Sequence, residues 1–137
     1  MAATRQGTYS QAKGTPLKIP CRVATTANVA SLSTLLTIDT ITVSAGDRVL
    51  VWKQTTASEN NIYIASSGAW TVALDMSLAD DLLLGMQVFI HDGVAYKNKS
   101  FHLTDDSPIM FVQTEYTETT VNLGSAGWSA SAQTETI

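Results

Sequence analysis

No stretch of this 137-residue chain carries a heptad pattern or a long amphipathic helix. Its apolar residues come in short β-branched and aromatic runs separated by Gly, Asp, Asn and Ser, which is the pattern of strands joined by turns. Arg48-Val49-Leu50-Val51-Trp52-Lys53 is the clearest run, with Val49 and Val51 on one face and Leu50 and Trp52 on the other. Ser44-Ala45-Gly46-Asp47 is the turn before it, Gly46 supplying positive φ and Asp47 a capping carboxylate. In Thr37–Val43 the apolar phase shifts between Ile38 and Ile41, which predicts a turn or bulge at Asp39-Thr40. Further strands are expected at Ile62–Ala65, Ala69–Leu74, Val88–Ile90, Val94–Tyr96, Ser100–Thr104 and Ile109–Gln113. Asp75–Asp81 reads as one helical turn, and Gly85 makes the start of the apolar run Leu82–Ile90 a loop.

The expected fold is all-β: a compact antiparallel β-sandwich or barrel-like domain over residues 21–113. Pro16 and Pro20 bias their neighbours to extended backbone. Residues 1–20 therefore read as an extended N-terminal arm, with Leu17 and Ile19 alternating as on a strand edge. Residues 114–137 read as an edge strand followed by an irregular tail rich in Gly, Ser and Ala, with Trp128 as its one large anchor.

Only 15% of the residues are charged, and the net charge is −4. That balance predicts no nucleic-acid partner. A single cysteine, Cys21, excludes an internal disulfide and a cysteine-based zinc site. No apolar run approaches the roughly 18 residues of a span, and Met1–Ser10 lacks the apolar middle of a signal peptide, so no membrane insertion is expected.

The chemistry-bearing residues are few. There is no Gly-x-Ser-x-Gly elbow, phosphate-cradling glycine loop or His-Glu-x-x-His motif. His91 and His102 alternate with apolar neighbours and read as solvent or interface side chains. Asp80-Asp81 and Asp105-Asp106 lack the spacing of a calcium loop. Asn98-Lys99-Ser100 matches the glycosylation triplet without a secretion signal. The expectation is a non-enzyme with no cofactor and no metal. Trp70 reads as core, while Trp52 and Trp128 read as subunit contacts, where tryptophan is enriched.

Five blocks carry a resemblance: Arg22–Asn28 (RVATTAN), Thr37-Ile38-Asp39, Ala45–Val51 (AGDRVLV), Gln54–Ile64 (QTTASENNIYI) and Gly68-Ala69-Trp70. In order and spacing they resemble a recurrent bacteriophage module of tail-fibre and other virion appendage proteins, over about Cys21–Phe111. The module reads there approximately as V-R-V-A-T-T, T-I-D-G, A-G-D-R-V-L-V-K-x-Q-T, N-G-I-Y and G-A-W. Three positions depart from it. Thr40 stands where the module has Gly after Thr-Ile-Asp, Asn61 where it has Gly before Ile-Tyr, and Trp52 where it has Lys. Asn61 is expected to take positive φ in glycine's place. An indole at Trp52 is expected to be covered, by a second subunit.

The resemblance implies a folding signature, with structural roles for Arg22, Asp39, Gly46, Asp47, Arg48, Asn61, Tyr63 and Trp70. Arg48 is expected to pair with Asp39. It implies a structural virion protein on the particle surface, made in the bacterial cytoplasm and assembled as a homotrimer. Leu17, Ile19, Trp52 and Trp128 are the candidate contacts between copies. Other virion proteins are expected partners, and a host-surface glycan is a further one. The favoured placement is a tail-fibre or tail-tip appendage near the host-recognition apparatus. A capsid decoration protein gripping the shell through its arm is the alternative, and a carbohydrate-binding module the second.

Overall fold

The computed structural model describes residues 16–115. Nine short strands carry the architecture: β1 Val23–Ala24, β2 Thr37–Ile38, β3 Ile41–Thr42, β4 Arg48–Val51, β5 Asn61–Ile64, β6 Thr71–Val72, β7 Gln87–Ile90, β8 Lys99–Asp106 and β9 Ile109–Gln113. Three single 3-10 turns, at Ala57–Glu59, Leu74–Met76 and Ala79–Asp81, supply the helical content of the described residues. The described residues are thus mostly strand with almost no helix, arranged in three small sheets, none of them closed.

The largest sheet has the order β1-β4-β5-β6, the second is the hairpin β2-β3, and the third is β7-β8-β9. Most pairings are antiparallel, as expected, but β1 runs parallel to β4. The parallel pairing extends upstream of β1. Leu17 bridges Gln87 and Cys21 bridges Ile90, both in parallel sense. The residue 17–25 segment therefore runs first along β7 and then along β4. Around Cys21 and Arg22 it bonds to both: Cys21 N–H to Phe89 O (2.9 Å), Arg22 N–H to Arg48 O (2.8 Å) and Asp92 N–H to Arg22 O (2.8 Å). One short segment stitches two sheets together.

Within the four-stranded sheet, β4 is buried on both faces, which explains its unbroken Val49-Leu50-Val51 run. Val49 and Val51 join Val23, Ile38, Val43, Ala65 and Trp70 in a core beneath the β2-β3 hairpin. Leu50, on the opposite face, joins Cys21, Ile62, Met86, Val88, Ile90, Phe101, Leu103 and Phe111 in a larger core against β7-β8-β9. The two-face split of this strand agrees with the alternation in its sequence.

The turns follow local chemistry. Asp39 (φ 49°) and Thr40 (φ 72°) are the two corner residues of the β2-β3 hairpin, both in the left-handed region that two-residue hairpins of the primed type demand. Gly46 (φ 94°) turns the chain into β4, and Asp47 Oδ2 accepts the Ser44 N–H at 2.7 Å, as the turn chemistry predicts. Gly85 (φ 92°) precedes β7.

Three expectations are corrected. Asn61 does not take positive φ; it lies within β5, paired with Val51, and its side-chain Oδ1 accepts the Ile62 N–H. Val94–Tyr96 is not a strand. It is a bend ending in the Lys97-Asn98 turn (Asn98 φ 65°), held to the β2-β3 corner rather than to a sheet. The strand expected over Ala69–Leu74 is only two residues long, because Leu74 starts a 3-10 turn.

Candidate interaction surface

The residues of the resemblance brace one another across the chain. Arg22 reaches Asp47 (2.7 Å) and Asp92 (3.3 Å), tying the first block to the third and to the turn after β7. These two carboxylates push the guanidinium pKa up, Asp47 more than Asp92. Asp92 is held below the ordinary carboxylate value by the Gly93 N–H first and Arg22 second. The buried Thr25 accepts the Trp52 N–H on its hydroxyl (3.3 Å) and the indole N–H on its carbonyl (2.8 Å). Asn28 Oδ1 accepts the Thr55 N–H at 2.7 Å. Gln54 makes an amide-to-backbone pair with Val29 (2.7 and 2.9 Å) and reaches Glu59 at 2.8 Å. Tyr63 donates its hydroxyl to Glu59 O at 2.6 Å, and Trp70 donates its indole N–H to Thr34 O at 2.8 Å.

The expected Arg48–Asp39 pair does not form. Arg48 makes a two-pronged contact with Asp75 (3.0 and 3.3 Å) and donates Nε–H to Ile19 O at 3.1 Å. Register places Arg48 at the start of β4, opposite Ile64, with the 3-10 turn carrying Asp75 beside it. Asp39 instead accepts the backbone N–H groups of Ala95 (3.0 Å) and Tyr96 (3.1 Å), anchoring the bend to the hairpin corner. The sequence gives no separate role to Gln54, within the fourth block, or to Lys18. Lys18, between the alternating Leu17 and Ile19, is the inward member of its segment, 3% exposed, and its ammonium donates to Asp75 O at 2.9 Å.

Trp70 is core, 7% exposed. Trp52 is half-buried, and its cover comes from its own chain. Tyr96 and Phe101 meet it edge-on, with centroids at 5.6 and 4.8 Å, and the Lys53 ammonium sits 4.8 Å from its ring. Trp128 lies outside the described residues, as does the edge strand expected beyond Glu115. Cys21 is fully buried, and burial pushes its thiol up to about 12. Among the described residues no group of His, Cys, Asp and Glu is gathered as a metal site would require. A shallow groove of about 140 Å³ is lined by Thr25, Thr26, Asn28, Thr37 and Asp39, but Thr25 and Asp39 are engaged in the contacts above.

The feature left over is the outer face of β7-β8-β9. A row of paired residues crosses it from Leu17 through Gln87 and His102 to Val112. Phe89 lies on the same face, opposite Ser100, and Met110 lies at its rim. Leu17, Ile19, Phe89, Met110 and Val112 are between 36% and 67% exposed. Two of them are residues the sequence marks as contacts between copies. The comparisons with known proteins add no relative: no family model, no curated protein and no solved structure matches this chain.

Proposed function

We propose that the chain is a structural subunit of a bacteriophage particle, a small oligomeric part of a tail-fibre or tail-tip appendage near the host-recognition apparatus. The observation that carries this reading is the cross-bracing of the resemblance blocks. Arg22, Thr25, Asn28, Asp47, Gln54, Tyr63 and Trp70 hold strands and turns to one another, so the shared residues act in folding, as a modular building part requires. On this reading the two larger sheets pack as a sandwich-like domain around the Leu50–Phe101 core, and the domain works as a homotrimer beside other virion proteins. A host-surface glycan is the ligand expected of the appendage as a whole. A capsid decoration protein is the second placement, favoured by the Pro16–Pro20 segment, which presents Leu17 and Ile19 outward from the sheet it joins.

The test is gold labelling of particles with an antibody against this chain. Label at the tail or its tip is the expected result. Label on the head favours the decoration placement, and unlabelled particles contradict both.

A further inference from the structure

We propose that the Asp92-Gly93 pair, in the turn after β7, is a self-modification site at which the Gly93 amide nitrogen attacks the Asp92 side-chain carboxyl and converts the residue to isoaspartate. The change is covalent and confined to this chain, so it needs nothing of the phage reading. No other Asp and no Asn of the sequence is followed by Gly. At the other positions a side chain on the following residue crowds the attacking nitrogen, whereas glycine leaves it open. Geometry adds to composition. The Gly93 nitrogen lies 2.9 Å from Asp92 Oδ1, so nucleophile and carboxyl already sit side by side. The Asp92 side chain is 32% exposed, so water reaches the product imide.

Water is the only other reactant. The Gly93 nitrogen bonds to Asp92 Cγ, and the protonated carboxyl loses its hydroxyl, which leaves with the amide proton as one water. A five-membered cyclic imide closes. Water then adds to either imide carbonyl. Opening at Cγ restores aspartate, while opening at the main-chain carbonyl leaves Gly93 joined through Cγ, with a methylene added to the backbone. The Gly93 N–H, Arg22 and Lys97 all favour the ionised carboxylate, which holds its oxygen. The reaction is therefore slow near neutrality and quickens in mild acid. Its consequence follows from what the turn holds. The Asp92 N–H donates to Arg22 O (2.8 Å), and Asp92 Oδ2 accepts the Arg22 Nε–H (3.3 Å). Gly93 lies against the Asp39 carboxylate that holds Ala95 and Tyr96. An added methylene moves the carboxylate off Arg22, which keeps Asp47, and shifts Gly93 against Asp39.

The test is peptide mapping of the purified full chain after several weeks at physiological temperature and about pH 5, where a minority of ordinary carboxylates are protonated. Electron-transfer fragmentation separates isoaspartate from aspartate at each position. Isoaspartate at position 92 is expected at about tenfold the level at any other aspartate, with a transient species one water lighter. A parallel sample near neutral pH should accumulate it more slowly. Asp92→Glu, whose carboxyl would have to close a six-membered ring, should stay unmodified at this turn. In the modified wild-type chain the Ala95 and Tyr96 amides should exchange faster than in fresh protein. No isoaspartate at position 92, or an even spread over the aspartates, overturns the proposal. Unchanged exchange at Ala95 and Tyr96 in the modified chain overturns the structural consequence.

Discussion

Thr40 carries local backbone strain, as does Thr34 at φ 65°. A β-branched residue at φ 72° places its side chain against the backbone, a conformation glycine adopts freely. Thr40 is exposed and none of its side-chain atoms is needed by a neighbour, so Thr40→Gly should stabilise the protein by about 1 kcal/mol in urea unfolding. A lower midpoint would show that the hairpin corner is not strained. Gly93 is the opposite case. Its φ is +105°, and a Cβ there would overlap the Asp39 carboxylate. Gly93→Ala should therefore cost at least about 1–2 kcal/mol and disturb the Ala95 and Tyr96 bonds to Asp39. Amide exchange at Ala95 and Tyr96 reads that disturbance directly; unchanged protection would refute it. Thr40 was legible in the sequence because the shifted apolar phase marked a corner there. The Arg48 partner was not, since register and the path of a distant 3-10 turn, not sequence proximity, brought Asp75 to it. Asn61 misled because its residue type suits positive φ, whereas pairing with Val51 gives it extended backbone.

The decisive element is the residue 17–25 segment, held between β7 and β4 by main-chain bonds and pinned by Lys18 to Asp75 and by Arg48 to Ile19. Arg48→Met should loosen it by about 1–3 kcal/mol, since hydrogen bonds to charged groups are lost while the stem still packs. Faster exchange of the Cys21 and Arg22 amides than of the β8 amides is the expected signature. Cys21, at the centre of this segment, gives an alkaline test. Its thiol is pushed up to about 12 in the folded chain from an ordinary value near 9. Folding favours the protonated thiol, so the stability linked to it is intact below about pH 9 and declines as pH rises from about 9 toward 12. Cys21→Ala should flatten that decline, and the native thiol should resist alkylation at pH 8 until the protein unfolds. The strands themselves were legible from alternation and turn residues. The parallel sense of β1 was not, because parallel and antiparallel neighbours place the same alternation on the same faces. Lys18 was hidden for a related reason: a charged residue reads as exposed, but the alternation of Leu17 and Ile19 presents those two outward and buries the lysine between them.

At the scale of the molecule, the few charged and aromatic residues brace the fold, and the outer face of β7-β8-β9 is left exposed. Leu17 and Ile19 are exposed on a segment bonded to β7, and the half-buried Trp52 packs against Tyr96, Phe101 and Lys53 of its own chain. The most direct test of the proposed virion role is quantitative mass spectrometry of gradient-purified phage particles from infected cells that produce this chain. The account predicts the chain among the particle proteins at a fixed copy number that is a multiple of three. Its presence in the infected-cell lysate but absence from the purified particles would contradict the account.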